Sequence, residues 1–217
     1  MVQKFLNQLE IRFGRYRGIK NLTTIIVFGM GIVYLADYLL GPAFGIYPSN
    51  YLVFDKHAIL RGQVWRMVTF IFTPPNASLL FILMQLLFIH FTGNLLQRHW
   101  GTLRFNIFYF FGAACSMAAG FITGYATSHY LNLSMLLAVS VLYPMMQVNF
   151  YGIIPIRMKW LAVIELLLIL PGLLSGSWGV RIAILISLLN VALFFYDRLL
   201  KSFQDARRRY EWKKNWR

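Results

Sequence analysis

The sequence contains several apolar runs, each about as long as a bilayer is thick. A hydrocarbon core of roughly 30 Å takes about 20 apolar residues of helix to cross, and the backbone polar groups inside it must be satisfied within the protein. The runs cover residues 22–41, 77–97, 105–125, 132–149, 159–175 and 180–198. The pattern predicts an all-α polytopic membrane protein, a bundle of six transmembrane helices.

The overall composition favours lipid as the main solvent of this fold. Hydrophobic residues make up 59% of the 217 residues and charged residues only 13%, too few to cover a soluble domain. No internal repeat divides the chain, and the lone Cys115 excludes an intramolecular disulfide framework. We expect a basic N-terminal segment over residues 1–21, one membrane domain over 22–198 and a basic tail over 199–217.

The distribution of Lys and Arg predicts which side of the membrane the termini occupy. With six spans both termini share a side, and that side collects 17 of the 21 basic residues. The other side keeps Lys56, Arg61, Arg66 and Arg181. Because basic loops stay in the cytoplasm, both termini are predicted to be cytoplasmic. The net charge of +14 lies beside the spans, so anionic lipids are the expected partners and nucleic acid is not.

The segment between the first two predicted spans, residues 42–76, is long for a compact membrane protein. It contains Trp65, Arg66 and the turn pair Pro74-Pro75 among apolar residues. Long loops of this kind are more often functional than idle. The apolar content predicts that the loop lies partly in the outer leaflet, where Trp65 and Arg66 would anchor it at the interface.

Motifs in this loop and in the second span resemble the rhomboid superfamily. The loop carries Trp65 and Arg66 in GQVWRMVTFIFTPP. The second span carries His90 and Asn94, four residues apart, in IHFTGNLLQRHWGTLRF. The resemblance extends over about residues 60–198. It implies a six-transmembrane rhomboid-like bundle with a long membrane-associated first loop, which binds transmembrane segments at a lateral opening between spans two and five.

The catalytic residues of the active rhomboids do not have clear counterparts here. Active members are serine proteases that use a serine in a GxSG motif and a histidine from the sixth span. The candidates Ser128, Ser134 and Ser140 stand in ATSH, NLSM and AVSV, and none lies in GxSG. In the family's register, Asn190 occupies the place of the histidine. An amide takes up no proton near neutral pH, so it does not activate a serine. His129 would act from a loop, in a different architecture.

A second resemblance, to the derlins, implies a non-catalytic relative. VNFYGIIPI and LLNVALFFYDRLL are similar to derlin segments, whereas His90 and a tail without a Gly-rich motif are departures. The resemblance implies a catalytically inactive protein that binds membrane-protein clients for quality control, chaperoning or dislocation. No cofactor and no metal are expected, and a cytoplasmic protease or unfoldase would be an unidentified partner. The departures favour a bacterial plasma membrane over the endoplasmic reticulum.

The candidate client-binding positions inside the predicted spans are Gln85, His90, Asn94, Glu165 and Asn190. Polar side chains at such depth normally face a bundle interior or a wet cavity. His90 and Asn94 share one helical face, so an internal hydrogen-bond network that fixes helix packing explains them equally well. Glu165 is a functional candidate by its depth, and the alternatives are that it is protonated or that it pairs with a residue such as Lys159.

Two features bear on how the spans pack. Small residues recur every four positions along the third span, at Gly112, Ser116, Gly120 and Gly124. Such a stripe lets helices approach closely, and we expect it inside the bundle, with dimerisation as the lesser alternative. Pro144 and Pro171 are expected to shorten spans four and five, which would thin the surrounding bilayer.

Two other functions remain open from the sequence. An active intramembrane protease with a non-standard site would use one of the three candidate serines, with His129 as the first base to consider. A carrier of small solutes or ions would use Glu165 and Asp37, although no inverted repeat supports that class.

The position of the termini can be tested directly. A reporter that functions only in the cytoplasm is expected to be active when it is fused after Arg217, because the basic residues cluster on that side. Activity of a reporter that functions only on the outer side would contradict the predicted topology.

Overall fold

In the computed structural model, the described residues are 2–14, 17–75, 77–150 and 154–215. The helices in chain order are α1 (Val2–Phe13), α2 (Leu22–Phe44), α3 (Ser49–Leu52), α4 (Lys56–Leu60), α5 (Arg66–Thr69), α6 (Leu79–Trp100), α7 (Thr102–Thr123), α8 (His129–Leu142), α9 (Met158–Ser175) and α10 (Trp178–Asn215). A 3-10 turn follows α5 at Phe70–Phe72. The strands are β1 (Phe54–Asp55), β2 (Tyr125–Ala126), β3 (Gln147–Phe150) and β4 (Ile154–Arg157).

Five of the helices are long and apolar enough to cross a membrane. They are α2, α6, α7, α9 and the first part of α10, up to Tyr196. Together with the sixth apolar helix, α8, they follow the six predicted runs in order. The chain is therefore a mostly helical membrane protein, and its described residues include five helices of spanning length and one shorter apolar helix.

The helix α8 is shorter than the run that predicted it. It has 14 residues, or about 21 Å of rise, and ends at Leu142. Because Pro144 blocks continuation of the helix, the rest of the predicted run 132–149 turns and enters β3. Pro171 has no such effect, since α9 continues through it to Ser175. The expectation that both prolines shorten their spans was therefore wrong for span five.

The short helix α8 lies at the centre of the bundle. It contacts α6, α7, α9 and α10, while α2 packs mainly against α6. Every residue from Leu133 to Ser140 is buried, as expected for a helix that is apolar on all sides. By contrast, α2 and α9 leave most of their apolar side chains exposed, and in a membrane these would face lipid.

The N-terminal helix α1 packs against the bundle. The helix α1 contacts α7 and α10, and Glu10 forms an ion pair with Arg104 in the first turn of α7. The helix α10 runs unbroken for 38 residues, so the tail predicted over 199–217 begins inside a helix. The last two residues of that tail lie outside the described residues.

The segment between α2 and α6 is folded into short elements. Its strand β1 pairs antiparallel with β2, with Phe54 opposite Ala126. The Asp55 carboxylate accepts hydrogen bonds from the backbone N–H groups of His57 and Ala58 at the start of α4. These bonds, chiefly the one from Ala58, hold the pKa of Asp55 below its usual value. The pairing of β1 with β2 joins this segment to the chain that follows α7.

Two members of the small-residue stripe lie at close contacts. A Cβ atom on Gly112 would come within 2.6 Å of the Asn190 Nδ2 atom, and one on Gly120 would come within 2.6 Å of the Phe54 ring. Gly124 differs, because it has a φ of 89°, ends α7 in the left-handed conformation and has open space around its Cα. Ser116 is half-buried. The close contacts of the stripe are therefore inside the chain and include Gly112 and Gly120 but not Gly124.

The contact at Gly120 predicts the effect of a larger side chain. Gly120→Leu is expected to lower the free energy of unfolding by roughly 1–3 kcal/mol, because the added atoms meet Phe54 and Ala126. Thermal unfolding in detergent measures this. Ala118→Leu, at an exposed position of the same helix, is the control and should leave the melting temperature nearly unchanged. Equal melting temperatures for Gly120→Leu and the unaltered protein would contradict the packing assignment.

Candidate functional site

A cavity of about 780 Å³ lies between α6, α8 and α9. Each helix contributes one face to it. Along α8 the lining residues are His129, Asn132, Leu133 and Leu136, and along α9 they are Leu161, Ile164, Glu165 and Leu168. Both sets follow the i, i+3, i+4, i+7 spacing of a single helical face. The helices α6 and α9 both pack against α8, so the cavity is the gap that they flank.

The cavity opens on the side where lipid would be. Phe81 and Leu87 of α6 and Leu168 of α9 line it and are themselves exposed. This position matches the lateral opening between spans two and five that the rhomboid resemblance implies. An apolar segment of another molecule would reach the cavity from within the membrane plane.

The end of α8 at His129 does not reach as far as the end of α9 at Ser175. The two helices are level at their other ends, where the backbone N–H of Lys159 donates to the Pro144 carbonyl at 3.3 Å. His129, the first residue of α8, lies beside Glu165, and α9 continues for ten more residues beyond Glu165 to Ser175. His129 is therefore recessed below the end of the neighbouring helix.

His129 and Glu165 are ionisable residues of the cavity lining. The His129 Nε2 atom lies 3.9 Å from the Glu165 Oε1 atom, longer than a hydrogen bond. Lys159, one of the alternatives considered as a partner of Glu165, does not pair with it, since the Lys159 Nζ atom lies over the Trp160 ring, 5.4 Å from its centre. Among the described residues, no group of three His, Cys, Asp or Glu side chains is placed to hold a metal ion.

Two amides complete the polar lining. Gln85 of α6 faces the cavity. Asn132 also faces it, and its Oδ1 atom is buried without a hydrogen-bond partner. Asn132 was not among the sequence candidates. Its signal was its position three residues after His129 in an apolar stretch, which places both side chains on one face.

Asn190 meets Ser134 away from the cavity. The Asn190 Nδ2 atom lies 3.5 Å from the Ser134 Oγ atom, and the two residues are 2% and 1% exposed. The Ser134 hydroxyl donates to the Leu131 carbonyl at 2.7 Å. Neither residue lines the cavity. The pair lies where α8 and α10 meet α7, and Gly112 of α7 leaves room for the Asn190 amide. Of the three candidate serines, Ser134 is the one beside Asn190.

The other two candidate serines also bind backbone carbonyls. The Ser128 hydroxyl donates to Thr73 at 3.0 Å, and the Ser140 hydroxyl donates to Leu137 at 2.8 Å. His129, the proposed alternative base, has Glu165 and the Tyr130 ring as its neighbours. In the described part of the chain, no hydrogen bond joins the His129 ring to any of the three serine hydroxyls, which all donate to backbone carbonyls.

His90 and Asn94 bind each other within α6. The Asn94 Nδ2 atom lies 2.8 Å from the His90 Nε2 atom, the i, i+4 geometry of one helical face. Neither residue lines the cavity. The contact favours the internal hydrogen bond over a site that stabilises an oxyanion or contacts a client.

Trp65 and Arg66 hold the segment between α2 and α6 together. The Arg66 side chain is only 7% exposed, and its guanidinium donates to the carbonyls of Asn50 and Val53 at 2.8 and 2.9 Å. The Trp65 indole N–H donates to the Tyr51 carbonyl at 3.1 Å, while half of the ring stays exposed. The pair therefore satisfies carbonyls at the end of α3.

The fold defines the class of this protein as a polytopic α-helical integral membrane protein. Residues 20–209 match the family described as "Eukaryotic integral membrane protein (DUF1751)", and the chain belongs to that family. No curated protein sequence matches the chain significantly. The membership is consistent with the rhomboid-like membrane protein that the sequence resembles. It counts against the bacterial plasma membrane that we expected, because the family is eukaryotic.

The contacts of Arg66 predict that lysine cannot replace it. Arg66→Lys loses the planar guanidinium, whose Nη1 atom donates to two carbonyls while its Nε atom donates to the Gln63 side chain, and burial makes an unpaired carbonyl costly. Amide hydrogen exchange over residues 49–55 is expected to become roughly tenfold faster, corresponding to a local loss of about 1.4 kcal/mol. Arg61→Lys, at an exposed position of the same segment, is the control. Unchanged exchange in Arg66→Lys would show that the clamp does not stabilise this segment.

Proposed function

We propose that this chain is a rhomboid-like, derlin-like membrane protein without protease activity, which holds transmembrane segments of other membrane proteins in the cavity between α6, α8 and α9. The observation that carries the proposal is the cavity itself. It is open to the membrane plane, mostly apolar and polar at its recessed end. A client helix leaving lipid for this cavity keeps apolar surroundings and gains hydrogen-bonding groups.

The arrangement of Ser134 and Asn190 supports a non-catalytic role. Serine hydrolysis needs a base that takes the hydroxyl proton, and the neighbour of Ser134 is an amide. The hydroxyl is also buried on the face of α8 that points away from the cavity. A peptide bound in the cavity would therefore not meet this hydroxyl.

The carrier alternative loses one of its two candidate residues. The Asp37 carboxylate accepts a hydrogen bond from the Ser49 backbone N–H at 3.0 Å and does not line the cavity. It thus has a structural task at the start of α3, and Glu165 alone does not define a path across the membrane.

The proposed setting is a eukaryotic membrane, with both termini in the cytoplasm. Anionic lipids would contact the basic residues near the N-terminus and along the second part of α10. The proposed role is membrane-protein quality control, chaperoning or dislocation. A cytoplasmic protease or unfoldase would act on the clients that this protein releases.

A co-reconstituted reporter client with an unstable transmembrane segment tests the proposal. A photoreactive residue at Leu168, on the cavity, is expected to crosslink to the client while the client stays at full length. The same residue at Phe28 of α2 is the matched control, because both side chains are 69% exposed. Phe28 lies outside the cavity and should give little crosslinking.

Two results would contradict the proposal. Equal crosslinking at Leu168 and Phe28 would mean that the client has no preference for the cavity. Cleavage of the client that disappears in Ser134→Ala, Ser128→Ala or Ser140→Ala would mean that the protein is a protease, and His129 would then be the first base to examine.

A further inference from the structure

The polar end of the cavity offers hydrogen-bond acceptors that lack donors. The buried Oδ1 atom of Asn132 has no partner, although a buried amide oxygen left unpaired is costly. Among the described residues, the charged-group neighbour of the Glu165 carboxylate is His129, at 3.9 Å. The Asn132 and Glu165 side chains line the same cavity.

The lining provides no basic side chain with a permanent charge to match this carboxylate. None of the described residues around the cavity is Lys or Arg. Lys159, the nearest basic residue along α9, lies over the ring of Trp160. An ionisable residue at membrane depth normally pairs with an opposite charge. A cation is therefore the occupant whose charge complements the site.

We propose that the cavity selects transmembrane segments that carry a Lys or Arg within their apolar stretch, with Glu165 as the acceptor for the positive charge. This inference rests on the proposed function and names its client class. The volume of the cavity equals roughly two turns of helix with side chains, so it holds part of one span. The apolar lining suits the flanking residues of that span, and Asn132 accepts a second hydrogen bond.

The preference for a basic residue also suits a quality-control role. A Lys or Arg in the middle of a span is costly in lipid, so a segment that carries one is unstable until it finds a partner. Binding to Glu165 removes that cost. A client with an acidic residue would be repelled, and one with only apolar residues would leave the Asn132 oxygen unpaired.

Synthetic transmembrane peptides distinguish these cases. We use the full-length protein with a photoreactive residue at Leu168, reconstituted in neutral lipid vesicles with a leucine-rich peptide whose central residue is Lys, Leu or Glu. The crosslinking yield is expected to be about tenfold higher for the Lys peptide than for the Leu peptide. The Glu peptide should crosslink no better than the Leu peptide. Equal yields for the Lys and Leu peptides would overturn the inference.

Variants of Glu165 assign the preference to this carboxylate. Glu165→Gln keeps the shape of the side chain and should bring the Lys-to-Leu ratio close to one without lowering the yield for the Leu peptide. Glu165→Lys should reverse the preference towards the Glu peptide. Glu10→Gln is the matched control, since it removes a carboxylate outside the cavity and should keep the tenfold ratio.

The outcomes separate this inference from the proposed function. If the Lys preference persists in Glu165→Gln, or if Glu10→Gln abolishes it, Glu165 is not the acceptor and the inference fails. If Leu and Lys peptides crosslink equally well at Leu168 but not at Phe28, the cavity binds clients without selecting charge. If neither peptide crosslinks at Leu168, the proposed function fails as well.

Discussion

The need to satisfy backbone polar groups away from water shapes the centre of this molecule. The helix α8 is too short to cross a bilayer of ordinary thickness. Backbone beyond the helix must therefore satisfy its polar groups without helical hydrogen bonds, and this applies to the residues just before His129. The protein supplies these bonds from other elements. The strand β2 pairs with β1, and the Ser128 hydroxyl binds the Thr73 carbonyl. The folded segment between α2 and α6 therefore supports the chain where α8 begins, at His129.

The cavity follows from the short length of α8 relative to α9. Because α9 continues past His129, the first residue of α8, the gap between α6 and α9 is not filled at that end. His129 and Asn132 lie on the cavity face of α8, and Glu165 lies on the cavity face of α9. Such polar groups would be costly on a helix surface that faces lipid. The cavity therefore combines these polar groups with apolar walls.

The position that the rhomboid resemblance assigns to a catalytic histidine has a packing role in this chain. Asn190 sits against Ser134 and next to Gly112, so three helices meet there with little spare volume. A histidine would need more room than this amide. The position thus joins α7, α8 and α10, while the polar residues of the cavity lie on another face of α8.

The sequence by itself determined the class of the protein and the approximate positions of the six apolar helices. Long apolar runs leave few alternatives to helices in lipid, and Pro144 placed a break in the fourth run. The nature of the site was decided only by the tertiary structure. Spacing placed His129 and Asn132 on one helical face, but nothing local indicated that Glu165, on another helix, would lie opposite them. In the same way, Arg66 looks like an interfacial anchor in sequence, and only the fold shows that its guanidinium binds the carbonyls of Asn50 and Val53. Periodicity reports which residues share a face, whereas the partner of each face depends on how helices distant in sequence pack together.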